Sequence, residues 1–588
     1  MSAGHSPVVV LQVDGAWRRF ANPARVVVAE SAVDVVPALR EIEQAVNEEG
    51  LYAAGYLAYE AGAAYGLAAH QPAADAPPLL WFGLFREFET TDAPASDSSY
   101  HFGDWQPSLS YEAYEAAIGR IRDAIATGDT YQINYTFPLR APFEGDPWAL
   151  FAALTAAQRA DYCAYIDLGR FAVCSASPEL FFRFDGATLT SRPMKGTAPR
   201  GLTLDADRRQ MDWLRNSAKN RAENVMIVDM IRNDFGRIAR TGSVRVPALF
   251  TVERYPTLLQ MTSTVTAETD APLGDILAAT FPCASITGAP KVSAMRIINE
   301  LEPKSRGVYT GAIGFIAPGR RAQFSVAIRT AVIDRQRGRA AYGVGSGVVW
   351  DSDARAEYEE CLLKARVLYA RPESMADFRL LESLRWTRDE GYFLLDRHLQ
   401  RLVESAEYFG IQFDASAVER ALAKAVATLS TPSKVRLLLD RRGQIESTAV
   451  PLESTALPAI MRVGLARRPV FSADVWLYHK TTRREVYDAA RASRPDCDDV
   501  ILWNERGELT ETTIANLVLE IDGRRYTPPV SSGLLPGTMR AYLLEIGEIA
   551  ECVLSLADLS RASGIWLVNS VRGWMPAMLQ SLQNTPTA

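Results

Sequence analysis

Apolar residues at Tyr114, Ile118, Ile121 and Ile125 recur at helical spacing and stop short of Gly128, which predicts an amphipathic helix with a glycine at its C-terminal cap. A strand follows. Tyr131, Ile133, Tyr135 and Phe137 alternate with Gln132, Asn134 and Thr136, so one face is expected to be apolar and the other to present amides and hydroxyls. Thr287-Gly-Ala-Pro-Lys291, with Met295, Ile298 and Leu301 after it, reads as a helix start carrying Pro290 in its first turn, where free N–H groups suit a carboxylate. Further on, Leu395, Leu399, Leu402, Ala406 and Phe409 form one apolar stripe before Gly410, with Arg401 off it. Thr538 follows Pro-Gly and precedes Met539 to Ile546, the position of a helix N-cap.

Between residues 368 and 378 the helical pattern ends at Pro372 and a polar stretch leads into a strand-like segment, predicting domains over 1–371 and 372–588. No internal repeat relates the halves. The Ala-Pro-Ala-Ser-Asp-Ser-Ser stretch at 93–99 reads as a surface loop.

Of the 588 residues, 48% are apolar and 23% charged, which excludes a disordered chain and leaves room for a large core. A net charge of −7 without a long basic run speaks against nucleic acid. No apolar run reaches the ~18 residues a bilayer span needs, and the Met-Ser-Ala-Gly-His start lacks a basic-plus-apolar leader, so a cytoplasmic enzyme without membrane contact is expected. The six cysteines (163, 174, 283, 361, 497, 552) show no Cys-x-x-Cys pair and are expected as buried thiols. The five histidines (5, 70, 101, 398, 479) lack metal-ligand spacing.

Chemistry concentrates first at Lys195, sixteen residues after Glu179. A lysine attacks only as the neutral amine, so it needs a dry pocket that lowers its pKa, while a nearby carboxylic acid can protonate a departing hydroxyl. On spacing alone Lys195, flanked by Pro and Gly, is equally a surface-turn residue. Glu357 and Glu360 share a helix face, where like charges repel unless a cation intervenes, and Glu223 adds a third oxygen ligand. The plainer alternative is a solvated Glu360–Lys364 pair.

Seven segments occur here in the order seen in chorismate-utilising enzymes: Gly128-Asp-Thr-Tyr-Gln-Ile-Asn134, Ser175-Ala-Ser-Pro-Glu179, Pro193-Met-Lys-Gly-Thr197, Ala222-Glu-Asn-Val-Met-Ile-Val-Asp229, Arg232-Asn-Asp-Phe-Gly236, Ser285-Ile-Thr-Gly-Ala-Pro-Lys291 and Val326-Ala-Ile-Arg-Thr330. The first half most resembles the aminodeoxychorismate synthase branch, whose pattern carries lysine where anthranilate synthases usually carry alanine. The resemblance implies that Lys195 adds to C2 of chorismate, that Glu179 protonates the leaving 4-hydroxyl, and that ammonia then adds at C4. Gln132 stands where isochorismate and salicylate synthases have a water-activating lysine, which favours ammonia over water. The resemblance also implies substrate contacts from Thr287, Gly288, Tyr309, Arg329, Gly343 and Gly345, with Gly347 in the same glycine-rich stretch. It implies Mg2+ on Glu223 and Glu360, with Glu357 close by. Cys283 and Ala284 depart from the glycines of many relatives, and Gln260 departs from a histidine. No glutaminase is recognisable, so ammonia would come from a separate glutamine amidotransferase subunit or from solution.

The second half opens with Glu382-Ser-Leu-Arg-Trp386, and its Tyr478-His-Lys480, Leu509-Thr-Glu-Thr-Thr-Ile-Ala-Asn516 and Leu535-Pro-Gly-Thr-Met-Arg540 segments resemble fold-type IV pyridoxal 5'-phosphate enzymes, aminodeoxychorismate lyases most of all. The likeness implies Lys480 as the Schiff-base lysine and proton carrier, Glu511 at the pyridine nitrogen, and Arg401 with Thr538 at the phosphate. The fold class expected is α+β: a large antiparallel-sheet domain, then a two-lobed α/β domain through which the chain can oligomerise. Together the halves would make 4-aminobenzoate, a folate precursor. An anthranilate-forming first half, an aminotransferase second half and a catalytically silent scaffold that binds a glutaminase stay open.

Overall fold

The computed structural model describes residues 6–256, 258–369, 378–455 and 457–580. Two compact units emerge, one of Met1–Pro199 with Met211–Ala376 and one of Arg200–Gln210 with Asp377–Ala588. Pro372, on which the sequence boundary rests, lies outside the described residues.

The first unit is built on an eleven-stranded and a ten-stranded sheet, counted over the described residues, and every strand pair in both is antiparallel. In the larger sheet the long strand Gln132–Gly145 lies between Arg339–Val348 and the two-residue strand Gly288–Ala289. The smaller sheet carries Met194–Pro199 against Leu258–Glu268. Phe20, Phe82, Phe85, Phe182 and Phe324 anchor one apolar core, and Tyr114, Tyr135, Phe137, Phe151 and Tyr342 a second.

The helix expected before Gly128 spans Tyr111–Ala126, buries Tyr114, Ile118 and Ile121, and is followed by Gly128 at φ +79°, a left-handed cap that suits glycine. The strand after it departs from expectation in two ways. It begins at Gln132, leaving Tyr131 outside and 66% exposed, and its polar residues Gln132, Asn134 and Thr136 are buried along with the apolar ones. Alternation signals a half-buried strand, but a strand covered on both faces can keep the same alternation when its polar face lines a site. Pro290 is also one residue earlier than expected: it caps the helix Lys291–Leu301 and is not in its first turn.

Over the described residues the second unit holds a four-stranded antiparallel sheet and an eight-stranded mixed sheet, which matches the expected two lobes. In the mixed sheet the additional pairing Glu511↔Asn516 joins the strand Leu509–Thr512 to Asn516–Ile521 and closes six strands into a ring. The helix Leu395–Phe409 ends at left-handed Gly410 as read from sequence, yet it buries His398, Arg401 and Ser405 as well as Leu402 and Ala406. The helix near residue 538 spans Thr538–Glu545, and its N-cap is Gly537 rather than Thr538. Thr538 is therefore already helical, and its hydroxyl turns to His398 Nε2 at 3.3 Å. Five cysteines are buried as expected, and Cys552 is exposed.

Candidate active sites

In the first unit, Lys195 sits on the strand Met194–Pro199, held from two sides. Asn224 Nδ2 donates to the Lys195 carbonyl at 3.2 Å, and Ser263 Oγ donates to Asn224 Oδ1 at 2.5 Å, which fixes the amide's orientation. Gln260 Nε2 donates to the Gly196 carbonyl at 3.0 Å, while Thr197 Oγ1 donates to Gln260 Oε1 at 3.1 Å. Gln260 thus braces the strand through an amide that needs no proton exchange.

Beyond its stem, the Lys195 amine reaches the glycine-rich strand Arg339–Val348. A Cβ on Gly347 would fall 2.5 Å from Gln132 Nε2 and 2.9 Å from Lys195 Nζ, so the amide and the amine converge on the space a side chain would fill. Burial lowers the Lys195 pKa and nearby Lys364 lowers it further, against the opposing pull of Glu223, Glu179 and Glu360. Glu179, only 3% exposed, is pushed up to about 7 by burial, tempered by Ser285 and by the Lys195 charge. Among the described residues its Oε1 has no partner, and neither does Gln132 Oε1. Two buried acceptors left open beside an amine of lowered pKa are what a site waiting for donors presents.

The other sequence candidates distribute unevenly. Gly288 pairs with Ile133, and a Cβ there would meet the Gln132 carbonyl at 2.2 Å, so this glycine seats the Gln132 strand. Thr287 accepts the Asn134 N–H through its carbonyl at 2.8 Å and spends its hydroxyl on the Cys283 and Ala284 carbonyls, which leaves it a structural link. At Gly343 the missing side chain is replaced by the Tyr309 ring, 2.2 Å from the virtual Cβ, and at Gly345 by the Thr136 methyl at 2.6 Å. Those two glycines therefore admit the protein's own side chains at their Cβ positions. Arg329 holds a left-handed backbone at φ +52° and donates to the Lys364 carbonyl.

Glu357 and Glu360 lie on the helix Ala354–Lys364, with Glu357 accepting from Ser352 Oγ at 2.8 Å and Glu360 paired to Lys364 Nζ at 2.7 Å. Among the described residues no three carboxylates already converge into a metal cage. The plainer Glu360–Lys364 reading holds as geometry. Even so, Glu357 and Glu360 both act on half-buried Glu223 and, with desolvation first, raise its pKa. A divalent cation would relieve that repulsion, and magnesium asks for only one or two protein carboxylates. Sequence reasoning gave Lys364 no role beyond its Glu360 pair; its ammonium also donates to the Gly345 carbonyl at 2.8 Å.

In the second unit a cavity of about 400 Å³ is lined by Lys480, Glu511, Arg401 and Thr538 together. Lys480 is lowered to about 8 by burial and by Arg401, opposed by Glu382. Glu511 Oε1 accepts from Tyr487 Oη at 2.8 Å and from the Leu535 N–H at 3.0 Å, Oε2 accepts from Asn516 Nδ2 at 3.2 Å, and burial raises the acid to about 7. Arg401 is not a free phosphate ligand. Its Nε and Nη2 grip Glu382 at 2.9 and 2.7 Å, and Nη1 reaches the Pro536 carbonyl at 3.2 Å. His398 Nδ1 shares Glu382 at 2.7 Å, so Glu382, His398, Arg401 and Thr538 form one chain of hydrogen bonds. Despite its burial, Glu382 is held near 2 by Arg401 and His398. Sequence reasoning missed Glu382 and His398 as site residues. The signal was present: His398 and Arg401 are three apart, a polar pair on one helix face beside the apolar stripe.

Residues 90–370 match the chorismate binding enzyme family, and residues 379–578 match the amino-transferase class IV family. The chain joins a chorismate-binding domain to a class IV amino-transferase domain. Aminodeoxychorismate synthase component 1 of Klebsiella aerogenes is 41% identical over 288 residues, 49% of this chain and 63% of that protein. Anthranilate synthase component 1 of Thermus thermophilus is 40% identical over 267 residues, 45% of this chain and 57% of that protein. The chain thus spans less than two thirds of either relative's length. Anthranilate synthase component I of Streptococcus pneumoniae shares the fold at a TM-score of 0.51, with 24% identity over 63% of this chain and 93% of that one. Near-equal identities to the two enzymes mean that overall likeness does not choose between them, and the choice falls to single residues of the chorismate-binding domain such as Lys195.

Proposed function

We propose that the chorismate-binding domain converts chorismate and ammonia to 4-amino-4-deoxychorismate and that the amino-transferase domain eliminates pyruvate from it to give 4-aminobenzoate. The observation that carries this reading is the convergence of Lys195 Nζ and the Gln132 amide on the space beside Gly347, with Glu179, its pKa raised to about 7, buried nearby. An amine held below its usual pKa adds to C2 of the ring as the C4 hydroxyl leaves with the Glu179 proton. Ammonia then adds at C4 and Lys195 is expelled; the open Gln132 Oε1 is placed to accept an ammonia N–H. A lysine at the Gln132 position would favour water, whereas a neutral amide removes no proton. Glu223, Glu360 and Glu357 would hold Mg2+, which supplies charge neutralisation for the ring carboxylate. Support for a separate glutaminase subunit comes from the component 1 relatives.

In the second domain the cavity, the depressed Lys480 and the acid at Glu511 fit pyridoxal phosphate, with Arg401 and Thr538 at the phosphate. The bound cofactor supplies an electron sink next to the substrate amine. Glu511 would supply the acid for the cofactor's pyridine nitrogen, and Lys480 Nζ, neutral in a useful fraction near pH 8, would take the C4 proton of the substrate as pyruvate departs. Mass spectrometry of products from chorismate and ammonium tests the whole reading. Aminodeoxychorismate without pyridoxal phosphate and 4-aminobenzoate with it are expected; anthranilate as the product would overturn the first assignment, and a pyridoxamine-forming reaction that needs a keto acid the second.

A further inference from the structure

One wall of the amino-transferase cavity carries two basic side chains, Lys434 and Arg436, that pair with no acid among the described residues. Lys434 and Arg436 are two apart on the strand Ser433–Leu439 and so share a face, and both line the cavity with Arg484 and Arg572. Among the described residues neither the Lys434 nor the Arg436 side chain has a hydrogen-bonding or ion-pair partner. Burial depresses Lys434, and Arg436, Arg572 and Arg484 all push it the same way, with no acid opposing them. Arg572 spends both terminal nitrogens on one carbonyl, Leu452 O, at 3.3 Å each. Glu511 is the one carboxylate on the lining, and its oxygens are committed to Tyr487, Leu535 and Asn516.

The phosphate end of the cavity is distinct. Arg401 is bound to Glu382 and sits with Thr538 and His398, and none of these acts on Lys434. Lys480 is influenced by Arg401 and Arg484, and Lys434 by Arg484, Arg436 and Arg572, so Arg484 is common to both and Lys480 faces a cationic group at each end. Cations gathered in a cavity repel one another unless a ligand brings the opposite charge, and a single phosphate held at the Arg401 end leaves this wall unmatched.

We propose that Lys434 and Arg436, assisted by Arg572, form a receptor for the two carboxylates of a dianionic amine substrate. This rests on the lyase reading above, since aminodeoxychorismate carries a ring carboxylate and an enolpyruvyl carboxylate. Such a wall selects against amino acids with one carboxylate, which leave a cation unpaired. It gives the domain a specificity that the shared class IV scaffold does not dictate.

The test uses the full-length holoenzyme and reads the absorbance of bound pyridoxal phosphate, which reports the second domain alone. The probe is 3-(1-carboxyvinyloxy)benzoate, which has both carboxylates and no amine, with benzoate as the single-carboxylate control. The dicarboxylate is expected to bind at least 10-fold more tightly than benzoate. Lys434→Met and Arg436→Gln should each weaken it at least 10-fold with cofactor absorbance retained, and Lys434→Arg should restore most of the affinity. Equal binding of the two probes, or variants that bind as the wild type does, would overturn the receptor. Turnover of aminodeoxychorismate by the wild type is measured in parallel. Absent 4-aminobenzoate sinks the lyase reading while leaving a dicarboxylate site standing; product formed without dicarboxylate selectivity sinks the receptor alone.

Discussion

Glu179 shows how burial converts an ordinary carboxyl into a proton donor. Its folded pKa of about 7 exceeds the reference value of 4.5, so between those values the folded chain holds a proton that the unfolded chain releases. Stability contributed by this group is complete below pH 4.5 and is lost as pH rises through 7. Glu179→Gln, which stays neutral, should therefore gain stability over the wild type as pH climbs, approaching about 2–3 kcal/mol above pH 7. Chemical denaturation at pH 5 and pH 8 measures it. The same variant should lose aminodeoxychorismate formation by roughly 10²–10⁴-fold, the usual worth of a positioned proton donor. Of this site the sequence made Lys195 and Glu179 legible, because motif spacing singles out reactive residue types. It did not show Asn224 or Gln260 as braces of the lysine strand, since contacts made through a backbone carbonyl leave no trace in residue type.

At the scale of strands, the glycines at 343, 345 and 347 alternate on one face of the strand Arg339–Val348, and each lacks a side chain for a different neighbour. Their obstacles predict different costs. Gly347→Ala would meet only the ends of two flexible side chains, Gln132 and Lys195, so the fold should tolerate it with a melting shift of a few degrees while synthase turnover falls at least 100-fold. Turnover and melting measured on one preparation settle it, and a parallel decline of both would show the site and the fold to be inseparable there. Periodicity read the helices well here, Tyr111–Ala126 and Leu395–Phe409 in particular. It failed where polar groups are buried for a purpose: the Gln132 strand is covered on its polar face, and Arg401 and His398 are buried off the apolar stripe because Glu382 compensates them. Thr538 was misplaced by one residue because Gly537, without a side chain to cap with, takes the cap position while the hydroxyl serves His398.

For the whole molecule, two reactive lysines in two units predict separable lesions. Lys480→Ala should stop at aminodeoxychorismate, which accumulates in the presence of chorismate, ammonium and Mg2+, while Lys195→Ala should form none yet still convert added aminodeoxychorismate to 4-aminobenzoate. Chromatography of both reactions checks it, and loss of both steps in either variant would refute separability. The two-lobed second unit was legible from its motifs, but the membership of Arg200–Gln210 in that unit has no local signature, because long-range packing is decided by partners rather than by the segment's own pattern. The six-strand ring of this unit has its last rung at Glu511 and Asn516, where a side-chain hydrogen bond accompanies the strand pairing. The acid proposed for the vitamin's nitrogen is thereby also a fastener of the hoop, so any drift at this position that retunes the proposed chemistry loosens the architecture in the same stroke.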